Sequence, residues 1–129
     1  MKKSYRLLIV EDDALTVETI KYMLQLAPFA SEVSSVADGK AAMETVRRNK
    51  PDAMILDLML PEMRGQDVLK ELDADPIFKG FAVLINSTSA DLAWTKKEIQ
   101  ECKNLRVDIA SRPCSHEELI SKLGKLLNA

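Results

Sequence analysis

Pro51-Asp52-Ala53-Met54-Ile55-Leu56-Asp57-Leu58-Met59-Leu60-Pro61-Glu62-Met63-Arg64-Gly65 carries the pattern that decides the fold. An apolar run long enough for one buried strand ends abruptly in a single carboxylate, Asp57, and the chain then turns through a loop that closes with Pro61 and Gly65. Asp57 is therefore expected at the carboxyl end of a strand, where open parallel sheets bind their ligands. A lone Asp in that place would do no more than cap a loop. It is not alone, because Leu7-Leu8-Ile9-Val10-Glu11-Asp12-Asp13 also runs from an apolar strand straight into acid. Two strands that deliver carboxylates to one edge make a site.

Outward from that stretch, strand and helix patterns alternate with Pro or Gly between them, as in an α/β protein whose parallel sheet is covered on both faces. A first strand over Arg6 to Val10 leads into a helix from Ala14 to Ala27, capped by Asp13 and stopped by Pro28. The second strand, Glu32 to Val36, is polar enough for an edge. Asp38-Gly39 opens a helix that buries Ala42, Met43 and Val46 and ends at Asn49-Lys50-Pro51. After the Asp57 strand come a short helix from Gly65 to Asp73 and a strand from Phe81 to Ile85, followed at once by Asn86-Ser87-Thr88-Ser89. A helix over Asp91 to Lys103 and a strand over Arg106 to Ala110 precede the capping box Ser115-His116-Glu117-Glu118. That box opens a last helix with Leu119, Ile120, Leu123, Leu126 and Leu127 on its buried stripe.

The 129 residues give room for one domain, 1–129, and little for a second, so no separate output domain is expected. A net charge of -2 supplies no basic footprint, so direct contact with nucleic acid is not expected. No apolar run approaches a membrane span, and Met1-Lys2-Lys3-Ser4 leads into a strand rather than a signal peptide, which argues for a cytoplasmic protein without membrane insertion. Cys102 and Cys114 have no CxxC spacing and read as reduced thiols.

If the five strands lie parallel, their carboxyl ends deliver Glu11 and Asp12, Asp57, Ser87 or Thr88, and Arg112 to one rim. Carboxylates about 4 Å apart repel by roughly 4 kcal/mol at an effective dielectric near 20, so the cluster needs a cation or a raised pKa. Magnesium suits it, since that ion takes one or two carboxylates, keeps several waters and completes its shell with phosphate oxygens. Asp57 is then positioned as a nucleophile toward a phosphoryl group, with the hydroxyl and the cation on its remaining oxygens. Spacing favours Ser87 over Thr88 as that hydroxyl, because neighbours on an extended segment point opposite ways.

Across essentially its whole length the chain resembles the receiver domain of two-component response regulators. The matching pieces are Ile9-Val10-Glu11-Asp12-Asp13, Ile55 to Gly65, and the Arg112-Pro113 step before the last helix. The resemblance implies a flavodoxin-like (βα)5 sheet in the order 2-1-3-4-5. It implies that Glu11 and Asp12 hold magnesium together with Asp57 and the Met59 main-chain carbonyl, and that Asp57 accepts phosphate from a histidine kinase or histidine phosphotransferase. Three positions depart from the family pattern: Arg112 replaces a lysine, Ser87 a threonine, and Ile109 the aromatic switch residue. Without that ring, phosphorylation must be reported by another element or reported weakly.

The expected function is a phosphoacceptor switch that assists its own phosphorylation and dephosphorylation, is not a turnover enzyme, and signals by binding a downstream protein. The alternative is a receiver-like interaction module whose signalling is largely independent of phosphorylation, because of Arg112 and Ile109. A haloacid-dehalogenase-like phosphatase would need a second Asp where Met59 stands, and a dinucleotide-binding domain would need a glycine-rich loop where Glu11-Asp12-Asp13 stands. Leu15, Tyr22 and Leu26 form a second apolar stripe on the first helix, available to a helical phosphodonor unless loops cover it. Trp94 lies roughly opposite the Leu92, Thr95, Ile99 and Cys102 face of the fourth helix and is a candidate interface anchor. His116 reads as a solvated first-turn residue.

Overall fold

Side chains alternate along a strand, so an unbroken apolar strand must be covered on both faces. The computed structural model, which describes residues 4–128 except the side chains of Ala30, Ser31 and Trp94, shows this. On β1 (Tyr5–Val10), Leu7 and Ile9 enter one core while Leu8 and Val10 enter a second on the opposite face. The same division holds on β3 (Ala53–Leu56), where Ala53 and Ile55 oppose Met54 and Leu56. It holds again on β4 (Ala82–Ile85), between Ala82 and Leu84 on one side and Val83 and Ile85 on the other. With β2 (Ala30–Val36) and β5 (Arg106–Ile109) at the edges, the order is β2-β1-β3-β4-β5 and every pairing is parallel.

Helices α1 (Ala14–Leu24) and α5 (His116–Leu127) cover the first core. Helices α2 (Gly39–Arg48), α3 (Gly65–Ala74) and α4 (Ser89–Gln100) cover the second. Each fully buried Leu, Ile or Val contributes about 1.5–3 kcal/mol by leaving water, so the two slabs carry most of the driving force for this topology.

Three departures from the expected boundaries have local causes. Helix α1 ends at Leu24 rather than Ala27, because Leu26 and Ala27 donate to the carbonyls of Met23 and Leu24, three residues back, and tighten the last turn. Helix α4 ends at Gln100 rather than Lys103, since the Asp73 carboxyl on α3 takes the amide hydrogens of Lys103, Asn104 and Leu105 and draws the chain out of helical geometry. A 3-10 turn, Pro76–Phe78, not anticipated from sequence, is capped by Asp75 and buries Phe78. The expected caps Asp13 and Ser115 accept main-chain hydrogens of their helices, and Asp38, read from sequence only as part of a turn, does the same for α2.

Gly65 brings the start of α3 against the end of β3. A Cβ at this position would stand 2.3 Å from the Asp57 carbonyl oxygen and 2.5 Å from Leu58 Cα, so backbone rather than a flexible side chain would have to yield. Gly65→Ala should lower the stability found by urea unfolding by about 2–3 kcal/mol. An unchanged midpoint would show that the loop after Asp57 relaxes freely.

Candidate functional site

The register sets the site. Val10, Leu56, Ile85 and Ile109 are successive partners across four strands, so the next residue of each strand emerges at one level on the rim. Ladder bonds continue one step past the strands: Asp57 N–H donates to Val10 O at 3.0 Å, Asn86 N–H to Leu56 O at 2.9 Å and Ala110 N–H to Ile85 O at 2.9 Å. Glu11 and Asp57 are thereby fixed side by side, each only 5% exposed.

Asp57 Oδ1 is the point of convergence. Ser87 Oγ donates to it at 2.6 Å, and Arg112 Nη2 donates to the same oxygen at 2.7 Å. Ser87 Oγ also accepts from Leu58 N–H at 2.8 Å, which fixes its orientation. Thr88 instead turns away to cap α4 and accepts from Asp91 N–H. Arg112 reaches the site because its own N–H donates to Ser87 O at 2.8 Å and Thr88 and Arg112 form a parallel bridge. Its Nη1 lies 3.5 Å from Glu11 Oε2.

Of the three consecutive acids, Asp13 is committed to α1. It accepts from the main chain and the hydroxyl of Thr16, bonds that hold its carboxyl below the usual carboxylate range. Glu11, Asp12 and Asp57 each offer one oxygen within 4.8 Å of the others. This all-oxygen set, with Asp12 open to solvent, fits a hard divalent ion that keeps part of its water shell and does not resemble the nitrogen and sulfur set of a zinc site. Met59 follows Asp57 by two residues, with its side chain exposed and Arg64 Nη2 3.9 Å from its sulfur. The loop then passes through Glu62 in the left-handed region, at φ 67°.

A family model described as the response regulator receiver domain matches residues 7–123. The chain belongs to the response regulator receiver family. Its similarity to the DNA-binding response regulator MtrA of Mycolicibacterium paratuberculosis is 31% identity over 118 residues, covering 92% of this chain and 49% of that protein. The receiver thus spans about half the length of the curated relatives it matches. A crystal structure of a candidate response regulator from Chloroflexus aurantiacus J-10-fl superimposes with a TM-score of 0.84 at 27% identity, covering 98% of this chain and 100% of that one. The receiver domain of the sensor histidine kinase PA1611 from Pseudomonas aeruginosa PAO1, solved with a magnesium ion coordinated in its active-site cleft, gives 0.82 at 22% identity over 98% and 99% of the two chains. At that identity the likeness bears on the fold alone.

Beside the acid rim of this receiver a groove of about 440 Å³ runs between α1 and the loop before α5, lined by Leu15, Ile20, Met23, Arg112, Pro113 and Cys114 among others. The stripe is uncovered: Leu15 and Tyr22 on α1 are 76% and 70% exposed, and Leu26, in the turn that follows, 54%. On α4, Thr95 is buried, with Leu92 and Ile99 half-buried beside it and Cys102 half-buried just past the helix end, while the side chain of Trp94 lies outside the described residues. His116 is 3.7 Å from Glu117 and away from the acids. Both cysteines are free thiols, and burial pushes Cys102 up to about 11 and Cys114 upward as well. Among the described residues no helix is long and apolar enough to cross a membrane.

Sequence reasoning missed Asn86, a buried side chain whose amide donates to Ala110 O at 2.8 Å and ties β4 to the chain beyond β5. Its only signal was position, one residue past an apolar strand.

Burial, a hydrogen bond shared with Asp57 and the charge of Asp57 push the Glu11 carboxyl up to about 7, against opposing contributions from the Asp13 amide and Arg112. The folded protein therefore holds a proton between roughly pH 4.5 and 7 that the unfolded chain releases, and metal-free stability falls as pH rises through that window. Each tenfold difference in proton affinity between the two states is worth about 1.4 kcal/mol, so the loss is at most about 3.5 kcal/mol. Glu11→Gln, which mimics the protonated form, should flatten the difference between urea midpoints at pH 5.5 and pH 8 in chelator. Parallel profiles for the two proteins would place the proton elsewhere.

Proposed function

We propose that this receiver is a magnesium-dependent phosphoacceptor that takes a phosphoryl group on Asp57 from a histidine kinase or histidine phosphotransferase and signals through protein contacts. The observation that carries this reading is the meeting of Ser87 and Arg112 on one oxygen of Asp57, beside Glu11 and Asp12. An oxygen of the Asp57 carboxyl forms the new bond to phosphorus as the donor's P–N bond breaks, and the electron pair leaves with the histidine nitrogen. Ser87 Oγ–H and the Arg112 guanidinium, already aimed at Asp57, turn to the transferred phosphoryl oxygens. Glu11 and Asp12, with Asp57 and the Met59 carbonyl, would hold the magnesium, which supplies positive charge to the oxygens of the group in transfer. This chain assists a change in its own covalent state and is not a turnover enzyme. The negative charge of the receiver favours protein partners over nucleic acid for this domain.

A second reading, a receiver-like interaction module, is favoured by the same Arg112. A guanidinium at 2.7 Å must partly release Asp57 before phosphate can be accommodated, and Ile109 offers no ring to report the event. Incubation with magnesium and a small acyl phosphate separates the two. Intact mass should rise by one phosphoryl group in the unmodified chain and stay unchanged in Asp57→Asn. Asp12→Ala or excess chelator should reduce the product at least about tenfold. No added mass under any condition would favour the interaction module, and equal product in chelator would remove magnesium from the account.

The exposed α1 stripe beside the groove suits the helical surface of a phosphodonor protein. Tyr22→Ala should leave phosphorylation by the small donor unchanged while slowing transfer from the cognate protein by roughly fivefold or more, the loss expected for one buried aromatic contact. Equal transfer rates would mean that docking uses another face.

A further inference from the structure

The two edges of the sheet are finished differently. At β5 the amide hydrogens of Arg106 and Ala110 go to Phe81 O and Ile85 O on the β4 side, so the alternation of a parallel ladder turns Val107 and Ile109 outward. Ile109 is closed by side chains: its N–H donates to Asp108 Oδ1 at 2.8 Å and its carbonyl accepts from Lys122 Nζ. At β2, Glu11 N–H donates to Val36 O at 3.1 Å. By the same alternation Glu32, Ser34 and Val36 face β1, and the N–H and C=O of Val33 and Ser35 point away from the sheet. No described residue meets those outward groups. β2 also runs for seven residues against four in β5, and it lacks the proline and lysine that commonly blunt an edge. Beside this edge, on the α2 face, a cleft of about 140 Å³ is lined by Arg6, Glu32, Ser34, Thr45, Arg48 and Asn49 among others. Arg6 Nη2 is committed to Lys50 O at 2.7 Å. Glu32 and Arg48 are both exposed, and neither has an ion-pair partner among the described residues.

We propose that the β2 edge pairs antiparallel with the β2 edge of a second copy of this chain, about a twofold axis at Val33, with Glu32 of each copy set against Arg48 of the other. In an antiparallel pair the outward residues stand directly opposite and exchange both main-chain bonds, so Val33 meets Val33 of the second copy. Side chains alternate, and Glu32 therefore stands opposite Ser34 of that copy, with about 4.5–5.5 Å between the Cβ atoms. Ser34 lines the cleft that holds Arg48, so the carboxylate enters a site within reach of an unpaired guanidinium. On the other face the half-buried Val33, packed on the first core, gains its own counterpart as an apolar neighbour. A second copy fits this edge better than a foreign peptide, because one chain supplies both halves of the charge pair in one register. The contact is the same patch on both copies, so it closes at two and joins the two five-stranded sheets into one. The acid rim lies at the strand ends rather than along this edge and stays open. One strand pair buries less than the roughly 1,000 Å² of a stable interface, which makes the dimer weak and reversible, with Kd on the order of hundreds of micromolar.

Sedimentation velocity of the full chain from about 20 μM to 1 mM tests the pairing, since mass action should drive the sedimentation coefficient from monomer toward dimer across that range. Ser35→Pro removes an outward N–H and no bond to β1, and should weaken the dimer at least about tenfold. Glu32→Arg and Arg48→Glu each oppose like charges across the axis and should each weaken it about tenfold, while the double variant should return to within about threefold of the unmodified chain. Both charged positions are exposed, so these variants decide the matter even where the proline disturbs folding; unchanged circular dichroism melts confirm that they fold. A sedimentation coefficient that does not change with concentration overturns the proposal. A dimer insensitive to charge reversal lies on another face or in another register and overturns it too, as does a loss in the single charge variants that the double variant fails to recover.

Discussion

Two carboxyl groups, Glu11 and Asp57, end neighbouring central strands with almost no access to water, and the rest of the rim answers their proximity. Burying an unpaired carboxylate is costly, and burying two side by side is worse, so each must be neutralised or bonded. Glu11 answers in part by retaining a proton up to about 7, and Asp57 by accepting from both Ser87 and Arg112. Helix α1 takes Asp13, the last of the three consecutive acids, as its cap, which keeps that charge out of the cluster of Glu11, Asp12 and Asp57. Replacement of the acids by apolar residues would relieve the cost, which is why their presence at the carboxyl edge points to use rather than stability.

The sheet makes the collision unavoidable. β1 and β3 are in contact with matched ends, and β4 follows β3 in the same register, so three consecutive residues in space are Glu11, Asp57 and Asn86. The chain beyond each end then separates acids from helpers. After β3 the loop to Gly65 packs so tightly on Asp57 and Leu58 that no Cβ fits, which keeps the acceptor from moving. After β4 the chain presents Ser87 inward and uses Thr88 outward as a cap, and after β5 it returns Arg112 through a main-chain bond to Ser87. A hydroxyl and a cation therefore arrive at one oxygen from two strands that never touch β1.

Most of this was legible because it depends on period-two burial and on which residue follows an apolar run. The strand positions, the edge placement of polar β2, the caps and the meeting of Glu11, Asp12, Asp57, Ser87 and Arg112 follow from those patterns. What escaped depends on contacts between segments distant in sequence. Nothing near Lys103 announces that Asp73, 30 residues earlier, will take its amide and end α4. Nothing near Arg112 states that its second arm will reach Glu11, since the sequence specifies a cation at the rim and only the packed loops specify its distance to each acid. The exposure of Leu15, Tyr22 and Leu26 was likewise undecidable from helical period, which identifies a stripe but not whether another element covers it.

The departures at Arg112 and Ile109 bear on how a change at Asp57 could leave the site. Lys122 on α5 donates to the Ile109 carbonyl, and the half-buried Ile109 side chain lines a cleft beneath α4 together with Leu92 and Ile99. A β-branched aliphatic side chain has few rotamers and carries no ring to turn inward or outward. A second set of contacts runs through the main chain beyond β4. Ser87 is bonded to Leu58 and Asp57 on one side, and its neighbour Thr88 caps α4 on the other. Ser87 Oγ lies 2.6 Å from Asp57, the Ser87 carbonyl accepts the Arg112 amide hydrogen at 2.8 Å, and the next residue caps the first turn of α4, so the acceptor, the cation and that helix end are joined by consecutive bonds. In this receiver the hydroxyl, the cation and a helix cap are joined through Ser87 and Thr88, two neighbours that face opposite ways, while β5 carries an aliphatic side chain at Ile109.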